Sequence, residues 1–223
     1  MLPSEQMSLE KLKRLVLIQV VTIYLRYLLG AAFVFASIVK IQGKRFTTDS
    51  GISSPINESW HLFETLYQSG LYWHFIGWGQ CLAGFLLMTQ LFSTLGAMLF
   101  LPIMLNIFVI TVSYYFAGTP IITGLMLLAN AYLLVWDWPR LKVAIWPYPS
   151  TFVPTFYPFL TRLSWSYLGL FYFGLTVWVR LAVHSLVVVL AALGGACVVG
   201  LLVLLYNLKV QKQASTRLKS FPG

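Results

Sequence analysis

Acidic side chains are scarce in this sequence. Six Asp and Glu residues stand against 15 Lys and Arg in 223 residues, and charged side chains of both signs make up only 9%. An ordinary soluble domain carries about 25% charged residues, so this chain cannot cover a globular surface with polar groups. That excludes a cytosolic enzyme fold, a nucleic-acid reader and a disordered scaffold. Cysteine is scarce too: Cys81 and Cys197 lie far apart in apolar stretches, with no CxxC. A disulfide framework, a thioredoxin-like motif and a cysteine metal site are therefore excluded. The sequence also lacks internal repeats and low-complexity tracts.

What it has instead is apolar length. Hydrophobic residues reach 59% and the mean hydropathy is +0.80, and several runs approach the roughly 20 residues that cross a bilayer. The pattern predicts a polytopic all-α membrane bundle with spans at 15–39, 71–89, 95–116, 121–136, 163–179 and 184–206. The first run follows a polar, basic start (1–14) as a signal peptide would, and Ala36 offers a small-residue cleavage position. It is too long for a secretory apolar region of about 7–15 residues, so it reads as a retained span. Residues 137–162 form a second loop broken by Pro139, Pro147, Pro154 and Pro158, which disfavour one continuous helix, with 143–162 as its proline-rich part. From Leu163 to Tyr206 the chain stays apolar for about 66 Å if helical, twice a bilayer core. A reversal near Arg180 and His184 makes 163–208 a two-span hairpin; alternatively, 163–180 lies along the interface and only the last segment spans.

The basic residues set the orientation. With six spans and the N-terminus inside, ten of them fall on the inner side, including Lys11, Lys13, Arg140, Arg162 and the 209–223 tail. Lys40, Lys44, Arg45 and Arg180 fall outside. N-in and C-in is the expected topology, with the 40–70 loop extracytoplasmic. Within that loop, Trp60, Phe63, Leu66 and Tyr67 are spaced to form one face of a short interfacial helix over 58–68, ended by Gly70.

Arg26 is the one strong charge deep in a span. An arginine at mid-membrane costs about 2.5–3.5 kcal/mol on insertion scales, so it should face the bundle interior and meet acceptors. Counted from helix ends, Gln80, Asn106 and Asn130 fall near the same level. Two readings are open: a polar pocket for a quinone-like or lipid headgroup, or a structural hydrogen-bond layer that fixes helix register. The carboxylates are peripheral, which argues against a proton path, and Asp137 beside Arg140 reads as a local ion pair. Glu58, His61 and Glu64 could share a helical face, but a di-iron site needs a second such set, so no metal is expected. His74 reads as an interfacial side chain, and Asn57-Glu58-Ser59 as a weak glycosylation triplet. Ala192, Gly195, Ala196 and Gly200 form a small-residue face suited to close helix packing, within the bundle or against another subunit.

Arg26-Tyr-Leu-Leu-Gly30 followed by Ala36-Ser-Ile-Val-Lys40 resembles the first span of the DoxX-like family of small four-span membrane proteins. The segment GLYWHFIGWGQCLAGFLLMTQLFSTLGAMLFLPIMLNIFVITVS resembles that family's second and third spans, and LMLLANAYLLVWDWPRL its fourth. The resemblance covers about residues 15–142 and leaves the C-terminal hairpin as an addition. Many relatives carry an acidic residue near the position of Gln80. Some members are similar to subunits of thiosulfate:quinone oxidoreductases, and others accompany membrane redox complexes. The absence of a catalytic constellation and the close-packing last helix point to a non-catalytic accessory or assembly subunit of a larger membrane complex, expected in a bacterial inner membrane and partnered by lipids and other subunits. The alternative is a quinone- or lipid-binding subunit using Arg26, Gln80, Asn106 and Asn130. The chain carries no flavin, nucleotide or CxxC motif of its own, so no intrinsic cofactor is expected.

Overall fold

The computed structural model describes residues 11–116, 118–145, 157–183 and 185–219, and is all-helical over them. The long elements are α1 (Val16–Ile41), α3 (Leu71–Met88), α4 (Ser93–Ser113), α5 (Thr119–Trp136), α7 (Leu163–Ala182) and α8 (Leu186–Lys219). Two short helices, α2 (Ser59–Gln68) and α6 (Trp138–Ile145), join them. Four segments are long and apolar enough to cross a membrane: α1, α4, α5 and the Leu186–Ala214 part of α8.

The chain folds around α1, which spans 26 residues, about 39 Å. It packs antiparallel to α3 at backbone contact distance, because glycines meet there. A Cβ on Gly84 would lie 2.6 Å from the Gly30 carbonyl oxygen, so no larger residue fits without parting the helices. On another side α7 runs parallel to α1, and a Cβ on Gly169 would run into the Met88 carbonyl oxygen. Between these helices Ile23, Tyr27, Met88, Trp165 and Leu168 form one buried cluster. Leu29, Phe33, Leu87, Phe100 and Leu133 form a second cluster among α1, α3, α4 and α5. There the Phe33 and Phe100 rings stack with centroids 3.6 Å apart.

The C-terminal pair is antiparallel. Tyr172 of α7 donates its hydroxyl to the Ala196 carbonyl of α8 (2.9 Å), and Ser164 donates to Asn207 Oδ1 (2.8 Å). α7 ends at Ala182 and α8 begins at Leu186, so the chain reverses just after Arg180, whose guanidinium lies 4.7 Å from the Phe35 ring centroid; His184 lies outside the described residues. Gly200 and Ala196 turn into the bundle, where Tyr24 and Tyr172 bond their carbonyls. Gly195 instead faces open space, so the small-residue face is split between inside and outside. α8 is longer than the apolar run suggests, because the basic tail continues the helix to Lys219. Of the proline-rich stretch, 146–156 lies outside the described residues. Residues 138–145 are helical despite Pro139, which stands second in α6, where its missing N–H costs nothing.

α2 appears where the apolar spacing placed it. Glu58 stands at its N-cap position without a side-chain capping bond, and Gly70, at φ +59°, follows its end. Its Trp60 and Phe63 rings meet Phe116 edge-on at 5.4 and 5.6 Å, tying the loop to the end of α4. Glu64 and His61 are each engaged by other groups. Glu64 accepts both Arg45 Nε (2.8 Å) and Arg45 Nη2 (2.9 Å), and His61 Nδ1 contacts the Ser54 carbonyl at 3.0 Å.

The Arg45 hydrogen bonds, helped by the Gly51 N–H and Gln68, hold the Glu64 carboxyl down at about 2, against a usual value of 4.5. A depressed carboxylate contributes stability fully above its unfolded value and loses it as pH falls through the folded one. The loop at 44–68 is therefore expected to loosen between pH 4.5 and about 2. Pepsin cleavage in that loop, scaled to an Arg45→Gln variant already loosened, should rise toward the variant's rate across that window. A constant ratio would refute the assignment.

Candidate functional site

Arg26 lies in α1, 3% exposed, and is bonded within the protein as its cost in lipid demands. Its partners are not the expected amides. Nη2 donates to Asp137 Oδ2 at 3.0 Å, and Nη1 donates to Gln90 Oε1 at 3.1 Å. Asp137 is the C-cap residue of α5, buried, and also accepts the Thr94 hydroxyl of α4 (2.9 Å). Its other oxygen faces Arg140 Nη1 at 3.7 Å, the local pair that the sequence suggested. Gln90 sits in the turn between α3 and α4 at φ +60°, the one non-glycine at positive φ among the described residues. That conformation costs about 1–2 kcal/mol, and it points the amide back across α1, with Nε2 3.5 Å from the Ile23 carbonyl.

The three expected amides stand elsewhere. Gln80 is buried in α3, and its Oε1 has no partner. Asn130 is buried in α5 and donates to the Ala97 carbonyl at 3.2 Å. Asn106 lies on the exposed side of α4. The single polar layer is thus not assembled. The reason is register: the sequence estimate set all helix ends level, whereas the contacts align Lys40 of α1 with Trp73 of α3. Counted from that pair, Arg26 lies about 21 Å down and Gln90 about 25 Å, but Gln80 only about 10 Å. Arg26 therefore meets the ends of its neighbours rather than their middles.

The same end of the bundle gathers more cations. Lys13, 7% exposed, donates Nζ to the Trp136 carbonyl at 2.8 Å, and Gln19 Nε2 closes on the Lys13 carbonyl at 2.8 Å. Nearby, Arg162 at the start of α7 donates to the Asn207 carbonyl and to Gln211 Oε1 (2.8 Å), locking α7 to α8. A small recess of about 40 Å³ opens beside Arg26 and Asp137, lined also by Lys13, Gln90, Arg140 and Thr161. It adjoins a cleft of about 320 Å³ bounded by Leu91, Thr94, Leu160 and Ser166. Sequence reasoning missed Gln90 and Thr94 as members of this cluster. A polar TQ–ST pair flanking the end of an apolar run was the available signal.

No grouping of three His, Cys, Asp or Glu side chains able to hold a metal occurs among the described residues. Together these features define an integral membrane helical bundle with a buried ion pair at one end. No protein family, curated protein or solved structure matches the chain.

Removing one member of a buried pair strands the other charge, at about 3–5 kcal/mol, whereas replacing both with apolar groups is far milder. Arg26→Leu and Asp137→Leu are each expected to destabilise the bundle by about that amount, and the double variant by clearly less than their sum. Reversible unfolding in mixed micelles measures all three. Additive losses would show that the two groups do not act as a pair.

Proposed function

We propose that the chain is a six-span, DoxX-like accessory subunit of a larger membrane complex of the redox kind, non-catalytic itself, in a bacterial inner membrane with both termini inside. The observation that carries the accessory role is Asn106. It stands about two-thirds of the way along α4, exposed and without a hydrogen-bond partner among the described residues, in a strip with Leu105, Val109 and Val112. Polar side chains in spans rarely face acyl chains, and an amide at this position gains about 0.6 kcal/mol on average by bonding a neighbouring helix. A helix of another subunit supplies that bond.

The six-span topology is supported by the antiparallel α7–α8 pair, and by Lys13, Arg140 and Arg162 sharing the bundle end from which the basic tail leaves. A second reading, a subunit that binds a quinone or lipid, is supported by the recess beside Arg26 and not by any common level of Gln80, Asn106 and Asn130.

Topology is tested by single cysteines in a background with Cys81 and Cys197 replaced by alanine. A membrane-impermeant maleimide should label Ser54→Cys and Ser185→Cys from outside, and Lys11→Cys and Thr216→Cys only after permeabilisation. Protection of Ser185→Cys would remove the hairpin. The accessory role is tested by a photo-crosslinking amino acid at position 106 in native membranes. It should capture a different membrane polypeptide in a discrete band; capture of lipid alone would overturn the role.

A further inference from the structure

The recess at the Arg26 end has the chemistry of an anion site. Three cations line it, Lys13, Arg26 and Arg140, against the single carboxylate of Asp137. That carboxylate is already engaged, with Oδ2 held by Arg26 and Thr94 and Oδ1 facing Arg140. It braces the guanidinium groups rather than repelling a ligand, and Arg26 and Arg140 together still outweigh it by one positive charge. Arg26 is 3% exposed and uses both terminal nitrogens, yet its buried Nε has no acceptor. A buried guanidinium N–H without an acceptor costs free energy, and an oxyanion beside it supplies one. Arg140 reaches the same recess with its side chain 45% exposed.

The surroundings select the kind of anion. The recess runs into the larger cleft, whose wall mixes the hydroxyls of Thr94, Thr161 and Ser166 with Leu91 and Leu160. Leu91 and the adjacent Phe92 are 59% and 58% exposed at this end of the bundle. A charged pocket that opens onto polar and then apolar surface matches a phosphate group with an apolar tail. A neutral quinone ring has no use for three cations. Basic pockets between spans on the inner side of a membrane hold phospholipid head groups by the same physics.

We propose that this recess binds the phosphate of an anionic phospholipid, with Arg140 at its entrance, Lys13 in its wall and Arg26 at its floor. The proposal rests on the ligand-binding reading above and is independent of Asn106 and the accessory role.

Native mass spectrometry of the full chain, released from nanodiscs of equal parts phosphatidylcholine and phosphatidylglycerol, tests it. The protein should retain phosphatidylglycerol selectively. Arg140→Gln should weaken that retention about fivefold and Arg140→Glu about thirtyfold, whereas Arg140→Lys, which keeps a cation facing Asp137, should preserve it. Lys13→Gln supplies a second variant that should act in the same direction. Inorganic phosphate added to delipidated protein separates the two sources of the chemistry. Its binding, with no retained phospholipid and the same Arg140 dependence, keeps the phosphate site and assigns it to the free anion. Equal retention of both lipids with no phosphate bound, or selectivity indifferent to Arg140 and Lys13, would overturn the proposal. Retention of a quinone without any preference for phosphatidylglycerol would also overturn it, while leaving the ligand-binding reading standing.

Discussion

The bundle is organised by the contact between Arg26 and Asp137. A guanidinium carried into an apolar span must be met by acceptors or withdrawn to water, and at 3.0 Å the Asp137 carboxylate meets it. Because Asp137 closes α5, Thr94 opens α4 and Gln90 turns between α3 and α4, one side chain of α1 fixes the ends of three neighbours. Such a pair adds little net stability over apolar packing of the same volume. Its contribution here is to register: any slide of α1 by one turn would strand Arg26 and cost Asp137 its closest cation.

The register so fixed is also the one that glycines permit. Gly30 and Gly84 let α1 and α3 touch backbone to backbone, and Gly169 lets α7 close on Met88. Without an aqueous driving force between spans, association relies on such close contact and on interhelical hydrogen bonds. The tyrosine hydroxyls of Tyr24 and Tyr172, both bonded to carbonyls of α8, extend the same logic to the last helix.

Helix existence was legible in the sequence, since apolar length and turn chemistry are local properties. The reversal after Arg180, the amphipathic α2 and the turn at Gly70 all followed from residue type and spacing. Burial of Arg26 was legible too, because its cost in lipid admits few alternatives. The partners were not. Counting from helix ends assumes that the ends are level, and α1 has 26 residues where α3 and α5 have 18. Levels are set by interhelical contacts such as Lys40 over Trp73, which periodicity does not encode. Gln90 escaped notice for a related reason: only a folded turn with positive φ aims it across α1. Asp137 was read with its sequence neighbour Arg140, a true contact, but the stronger partner came from 111 residues away.

The length of α8 has a mechanical side. Its 34 residues extend about 51 Å, against a hydrocarbon core of about 30 Å. Asn207 is fully buried, clamped to Ser164 and Arg162 where α7 begins. Below that clamp the helix runs on unbroken to Lys219, about 18 Å farther. The clamp acts as a fulcrum and the cationic stretch below it as a stiff arm, so a few degrees of lean in the upper part sweep its lysines sideways with no joint to absorb the motion.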